Sequence, residues 1–485
     1  MPDPQKPDTL VPLCVDLDGT FIRGDMLWDA VLRLIRSKPV RLLQIPWWLL
    51  SGRQVLKSRL TLNAPPPVLA PPVNQCLLAF LHAEKSTGRK IVLATAAHHS
   101  FLEPIVQAFP FDEVLASDDT INLKGPAKAS ALVERFGHKG FDYAGDSTAD
   151  EAVWRVARKA ILVQRSSRLV KRWSSMFDID RIIAPSDQTT WKDWVKALRL
   201  HQWSKNLLIA VPFLVGHHFR EPWQLAGLIA AFLAMGLCAS GTYVWNDLLD
   251  LDFDRAHSSK KNRLAASGRT SIHRLISVSL ILVAAGLGGA FYLKAEFGFL
   301  MIAYILTTLA YSLLFKRIAI SDIFVLAFLY LSRIAAGILI SAAVVSFWLF
   351  AFTFLFFLSL AAMKRFVELR HTASDGRESV LAGRGYRPDD LLMVSELGVS
   401  TGVASIVVLA LYSNSVQVTA LYHHPEWFWG ICVAALYWMS RIWFLTKRGV
   451  MHDDPIVFAL KDRGTWLIAA FALACVLLAS PISSP

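Results

Sequence analysis

The sequence predicts two structural classes in one chain: an α/β domain with a parallel sheet and a helical cap over residues 1–190, then an all-α polytopic membrane bundle of nine transmembrane helices over residues 191–485. Composition is the first reason. Hydrophobic residues make up 54% of the 485 and charged residues 18%, a balance too apolar for a soluble protein of this size. Placement is the second: long apolar runs begin near Trp194, whereas the earlier part mixes charge, proline and short apolar segments. The third is that short strand-like runs alternate with helical stretches in the first part, which is the pattern of a parallel sheet.

The first strand-like run, Val11 to Val15, delivers Asp16-Leu17-Asp18-Gly19-Thr20 at its end. A second, Lys90 to Ala94, ends in Thr95, and a third, Gly140 to Ala144, ends in Gly145-Asp146-Ser147-Thr148-Ala149-Asp150. Open parallel sheets bind ligands beyond the carboxyl ends of their strands, so these segments are expected to meet in one phosphate-and-metal site. In that order they resemble the four motifs of the haloacid-dehalogenase-like phosphatases, over roughly residues 10 to 185. The resemblance implies Asp16 as nucleophile and Asp18 as general acid/base, with Thr95 and Lys128 binding the transferring phosphoryl group. It also implies Mg²⁺ held among Asp16, Asp18, Asp146 and Asp150. Lys124 is a rival for Lys128, because the third motif is the loosest of the four. The proposed chemistry has a physical basis: a carboxylate attacks phosphorus only when a cation neutralises the approaching anions.

Between Asp25 and about Pro71 lies a helical, basic insertion around Ile45-Pro46-Trp47-Trp48-Leu49-Leu50, with Arg33, Arg36, Lys38 and Arg41 among its cations. It is expected to cap the sheet domain, and Trp47 and Trp48 with their basic flanks suit lipid headgroups as well. Pro65-Pro66-Pro67 and Pro71-Pro72 mark the hinge back into the domain. Residues 1–10 are polar and carry no apolar signal-peptide core. The cysteines Cys14, Cys76, Cys238, Cys432 and Cys475 are scattered, which implies neither zinc nor disulfides and suits a reducing, cytoplasmic face.

In the second part nine apolar runs are expected to span, at about 196–216, 224–245, 273–293, 297–315, 320–342, 346–363, 391–412, 426–446 and 465–482. Arg255, Lys260, Lys261, Arg263 and Arg269 follow the second run and Lys316 and Arg317 the fourth. Lys364, Arg365, Arg370 and Arg377 follow the sixth, and Lys447, Arg448, Lys461 and Arg463 the eighth, whereas the opposite loops hold Arg220 and Lys294. The positive-inside rule then puts the N-terminal domain on the cytoplasmic side of a bacterial inner membrane. Since the net charge of +12 gathers in these loops, it reflects insertion and excludes nucleic acid as the partner.

The second run ends in Asn246-Asp247-Leu248-Leu249-Asp250-Leu251-Asp252-Phe253-Asp254-Arg255. On a helix Asp247, Asp250 and Asp254 share one face, a comb of carboxylates suited to Mg²⁺ and the phosphates of a substrate. Further inside the membrane part, Asp322 and Arg333 lie eleven residues apart in an apolar run and are expected to face one cavity. Asn-Asp-x-x-Asp-x-x-x-Asp resembles the signature of the UbiA-type intramembrane prenyltransferases. Many of those carry a second aspartate-rich motif, where this chain has Lys364-Arg365-Phe366-Val367-Glu368. With Arg199, Gln202, Trp203, Lys205, Asn206, Asn246, Tyr311, Ser312 and Lys316, this departure resembles the decaprenyl-phosphate phosphoribosyltransferase branch.

That resemblance implies transfer of 5-phosphoribose from phosphoribosyl diphosphate to a polyprenyl phosphate lipid. Asp247, Asp250 and Asp254 would hold Mg²⁺, Asp247 and Asp250 being catalytic, and Arg199, Lys205, Asn246, Tyr311, Lys316, Arg333, Lys364 and Arg365 would bind substrate. The fused phosphatase would remove the 5-phosphate of the product. Two other readings stay open: a prenyltransferase acting on an aromatic acceptor, and a transporter or lipid-binding scaffold with a sensor domain. The oligomeric state, a homo-oligomer included, also stays open.

Overall fold

A computed structural model describes residues 10–64, 71–118, 121–164, 166–184, 189–215, 222–341, 347–374, 385–415, 418, 422, 424–451 and 454–479. The polar residues 1–9, the Pro65–Pro67 part of the hinge, Arg220 and Arg377 lie outside the described residues. The chain divides into two compact units, Met1–Leu198 with Tyr243–Ser279, and Arg199–Thr242 with Leu280–Pro485. The segment that carries the aspartate comb therefore packs with the N-terminal residues.

In the first unit, six strands form a parallel sheet: β1 Leu13–Val15, β2 Ile91–His98, β3 Glu113–Ser117, β4 Asp142–Gly145, β5 Ala160–Leu162 and β6 Ile179–Ile182. Their order, β3-β2-β1-β4-β5-β6, reverses direction between β1 and β4. Ligands of open α/β sheets bind at such a reversal, and here the pairing of Val15 with Ala144 sets the next residues, Asp16 and Gly145, side by side there. Both faces of the sheet are covered, which explains its unbroken apolar strands: Leu13, Val15, Ile91 and Leu93 face one buried cluster, Cys14, Val92, Ala94 and Tyr143 the other. Strand β2 does not stop at Thr95 as expected but runs to His98, with a register shift between Ala94 and His98.

The insertion forms three helices, Met26–Ser37, Ile45–Leu50 and Arg53–Asn63, joined by a 3₁₀ turn over Pro39–Gln44. Asp25 caps the first, accepting hydrogen bonds from the Leu27 and Trp28 amides at 2.9 and 3.2 Å. The two tryptophans have different environments. Trp48 is buried with Leu56 and Leu60 in the core, so it is unavailable to lipid, whereas Trp47 is 74% exposed beside exposed Leu43 and Leu50. Across the helix Met26–Ser37, Leu32 packs with Val244, Leu248, Leu251, Leu264 and Leu275, which ties the segment 243–279 into this unit.

The helical membrane part is present, with the number of spans as follows. Among the described residues seven helices are long and apolar enough to cross a membrane, or up to eight if the bent pair Pro455–Lys461 and Arg463–Ala479 is one span. The first expected run follows a short helix Trp191–Ala197 and contains, among the described residues, a 3₁₀ segment Leu200–Ala210 and helical residues Val211–Val215. Polar residues explain the difference, since Arg199, His201, Gln202, Ser204, Lys205 and Asn206 interrupt the apolar pattern. The last run falls on the helix Arg463–Ala479, which an 82° bend next to Asp462 separates from Pro455–Lys461.

Candidate active sites

At the end of β1, Asp16 lies opposite the end of β4, its amide bonded to the Ala144 carbonyl at 2.9 Å. The Lys128 ammonium, at the start of the helix Pro126–Phe136, donates to Asp16 Oδ1 at 2.6 Å and to the Tyr143 hydroxyl at 2.9 Å. That contact favours Lys128 over Lys124, which lines the same cleft but is exposed. Carboxylate oxygens of Asp16, Asp146 and Asp150 all lie within 4.8 Å of one another. Asp150 is fixed in place, accepting from the Asp146 and Ser147 amides, the Ser147 hydroxyl and the Tyr143 hydroxyl. Gly19 has φ +79°, and a Cβ there would collide with the Asp146 carboxylate, so glycine in Asp16-Leu17-Asp18-Gly19 is required by the approach of Asp146.

Burial, then Asp150 and Asp16, push the Asp146 carboxyl up to about 8, a repulsion that a divalent cation would relieve. The donor set therefore fits Mg²⁺, with Asp16, Asp146 and Asp150 as holders. Asp18 is placed differently from the expectation that it shares this group. It accepts the Met26 amide at 2.9 Å, and burial and then Asp25 push its carboxyl up to about 8. Asp18 is not among the carboxylates gathered with Asp16, and one of its oxygens is taken by the Met26 amide. Thr95 is fully buried, its hydroxyl accepting the Ala97 amide at 2.9 Å, and Ala96 lines the cleft in its place.

The aspartate comb starts on the helix Pro222–Leu249 and ends on the short helix Leu251–Ala256. Helical hydrogen bonding continues across the junction, Asp250 N–H to Asn246 C=O at 3.0 Å and Asp254 N–H to Asp250 C=O at 2.9 Å, so the expected spacing holds. Arginines occupy the carboxylates. Arg263 Nη1 bridges Asp247 at 3.2 Å and Asp254 at 2.8 Å, and Arg36 Nη1 reaches Asp250 at 3.0 Å while its guanidinium lies 3.9 Å over the Phe253 ring. Burial pushes the Asp254 carboxyl up to about 6 despite Arg263. Arg263 thus neutralises Asp247 and Asp254 together, and among the described residues the comb carboxylates are not gathered as Asp16, Asp146 and Asp150 are. Sequence reasoning counted Arg36 and Arg263 only as loop and cap charges. Their register against Asp250 and Asp254 depends on packing that no local pattern reveals.

In the second unit the expected residues separate into three groups. Lys205 and Lys364 share Asp454, at 3.3 and 3.1 Å, leaving two ammonium groups on one carboxylate. Arg365 is fully buried, its Nε 2.6 Å from Asp322 and its terminal nitrogens on Glu368 and the Tyr311 hydroxyl. Arg333 donates to the Asn206 side chain at 3.1 Å and the Tyr304 hydroxyl at 3.3 Å. Asp322 and Arg333 therefore do not share a cavity as expected: they are about 16 Å apart along one helix, and Asp322 serves Arg365 and Tyr386. Lys316 is buried in a 3₁₀ turn and Arg199 takes a left-handed backbone at φ +50°. Asp454 was missed, although Asp before Pro455 is a helix-start signal.

Comparison with known proteins agrees with the comb. Residues 208–461 match the UbiA prenyltransferase family. This chain belongs to that family. Within and beyond it, the chain is 37% identical over 475 residues to the uncharacterized protein y4nM of Sinorhizobium fredii, covering 97% of this chain and 92% of that one. It is 34% identical over 284 residues to nodulation protein NoeC of Azorhizobium caulinodans, covering 58% of this chain and 91% of the relative. Decaprenyl-phosphate phosphoribosyltransferase of Mycobacterium tuberculosis is 32% identical over 286 residues, covering 58% of this chain and 92% of the relative. As a UbiA family member, the chain carries six parallel strands at its N-terminal end as well as the helical part.

Proposed function

We propose that this UbiA family protein is a Mg²⁺-dependent membrane enzyme that transfers 5-phosphoribose from phosphoribosyl diphosphate to a polyprenyl phosphate. We propose further that its N-terminal domain is a haloacid-dehalogenase-like phosphatase that removes the 5-phosphate of the product. The observation that carries the first step is the Asn246–Asp254 comb in a chain that is 32% identical over 286 residues to a decaprenyl-phosphate phosphoribosyltransferase. The lysines Lys205 and Lys364 around Asp454, in place of a second acidic comb, suit an anionic acceptor.

In the transfer, a phosphate oxygen of the lipid forms a bond to the anomeric carbon, and the bond from that carbon to diphosphate breaks, its electron pair leaving with diphosphate. The acceptor is already an anion, so no strong base is required. Asp247, Asp250 and Asp254 would hold Mg²⁺, which supplies charge neutralisation of the leaving diphosphate. Asn246 and Arg199 are assigned to the donor, and Lys205, Lys364, Tyr311, Lys316, Arg333 and Arg365 to phosphate binding or to positioning the groups that do it. Arg365 and Arg333, buried in polar networks, belong to the positioning class.

In the phosphatase step an Asp16 oxygen forms a bond to phosphorus and the bond to the sugar oxygen breaks, Asp18 giving its proton to that oxygen. Burial works against the Lys128 ammonium, but Asp16 and Asp150 outweigh it and raise its pKa, so the cation persists to bind the phosphoryl oxygens. Water then attacks the aspartyl-phosphate, returns a proton to Asp18 and releases inorganic phosphate. Both sites would face the cytoplasm, in keeping with the basic loops. The test is membranes supplied with polyprenyl phosphate and phosphoribosyl diphosphate labelled in the ribose. Wild type is expected to label lipid and Asp250→Asn to lose the label; equal labelling in both would refute the transfer.

A further inference from the structure

The cleft that holds Asp16, Asp18 and Lys128 has a volume of about 550 Å³, and part of its wall comes from outside the α/β domain. Arg255, Ala265 and the stretch Gly268–His273 line it. In sequence these residues belong to the segment between the apolar helices Pro222–Leu249 and Ile272–Leu293, within the UbiA-matched region. A cleft of this volume accommodates a ligand far larger than one phosphoryl group.

The wall is firmly seated. Gly268, at φ +63°, lies so close to the Arg23 carbonyl that any Cβ would collide with it. Arg255 pairs with buried Asp29 at 2.6 Å, and Arg269 with Asp193 at 3.0 Å. Arg255 lines the cleft, is 5% exposed and keeps its positive charge there beside Asp29. At the rim Lys124 and His273 present exposed nitrogens.

We infer that this wall is the specificity element of the phosphatase, taking the second phosphate of a substrate whose terminal phosphomonoester sits at Asp16 and whose other end is a phosphodiester. The inference rests on the phosphatase reading above and deepens it by naming the substrate class. A plain monoester leaves Lys124 and His273 without an anion, whereas a diester phosphate gives them charge-assisted hydrogen bonds. The phosphatase thereby distinguishes an intermediate joined through a phosphodiester from the free sugar phosphates around it.

The experiment uses the full-length protein in detergent and two soluble probes, ribose 5-phosphate and its 1-(hexyl phosphate) diester, with release of inorganic phosphate as readout. Wild type is expected to favour the diester probe by about tenfold in kcat/KM, the size of one charge-assisted contact. Lys124→Ala combined with His273→Ala should raise KM for the diester probe by about the same factor while its kcat holds. Gly268→Ala, which displaces the wall without removing a charge, should reduce the same preference. An active enzyme that treats both probes alike, or a preference that survives both variants, overturns the inference and leaves the phosphatase reading standing. Absence of any Asp16-dependent hydrolysis overturns both.

Discussion

Asp16, Asp146 and Asp150 stand on strand ends and loops fixed by ladder and capping hydrogen bonds, whereas Asp247, Asp250 and Asp254 stand at a helix end and are held by arginines. The first cluster is gathered, with its carboxylates within 4.8 Å and Lys128 already on Asp16. The second is spread, each carboxylate facing a guanidinium that a metal would have to displace or share. The comparison teaches how scaffold decides readiness. A sheet reversal converges several strand ends on one point, so its carboxylates repel until a cation arrives. A helix distributes its carboxylates over more than one turn, so convergence must come from the metal and the substrate.

Breaking the gathered site should have the largest effect. Asp16→Asn removes the proposed nucleophile, and phosphate release is expected to fall by at least about a thousandfold, checked by phosphate assay on an added monoester. Asp18→Asn comes next, with an expected loss of about 10²–10⁴-fold on an alkyl phosphate. Because burial and Asp25 hold Asp18 protonated up to about pH 8, wild-type kcat/KM should decline as pH rises through that value, and the Asp18→Asn profile should lose this limb. A profile that instead rises through pH 8 would reassign the proton donor.

The strand ends also depend on an ion network. Asp142 at the start of β4 is buried and paired with Arg89 and with Arg158 at 2.7 Å. Its burial raises its pKa, but hydrogen bonds and charges from Arg158 and Arg89 outweigh that and hold the carboxyl below the usual range. Since its folded pKa is the lower one, its stabilisation is complete above the ordinary carboxylate value and is lost as pH falls through the folded value. Asp142→Ala should cost about 3 kcal/mol at pH 7, read as a shift in urea unfolding followed by the fluorescence of nearby Trp154 and Trp173. The smallest effect sharpens the contrast from the other side. Arg263→Gln frees Asp247 and Asp254 of their guanidinium, so the Mg²⁺ concentration for half-maximal transfer should fall severalfold. No such decrease is expected at the gathered site, where metal dependence is read from phosphate release.

Strands β1, β2 and β4 were legible because each is apolar and ends in a polar motif, and the comb was legible because its spacing is helical. Strands β3, β5 and β6 were not, since Glu113–Ser117, Ala160–Leu162 and Ile179–Ile182 are short and carry no motif. The first apolar run was the hardest to place, because hydropathy alone does not register the polar residues that accompany the 3₁₀ segment Leu200–Ala210. Partners separated by hundreds of residues, such as Arg36 with Asp250 or Lys205 with Asp454, are set by tertiary packing and leave no trace in a local pattern.

The most direct measurement of the central claim is to supply wild type and Asp16→Asn with polyprenyl phosphate and phosphoribosyl diphosphate, then resolve the lipid products by charge. Two successive activities on one lipid predict that Asp16→Asn accumulates a product carrying a terminal phosphomonoester, while wild type yields the same lipid without it and an equivalent of inorganic phosphate. Identical lipid products from the two proteins would contradict it.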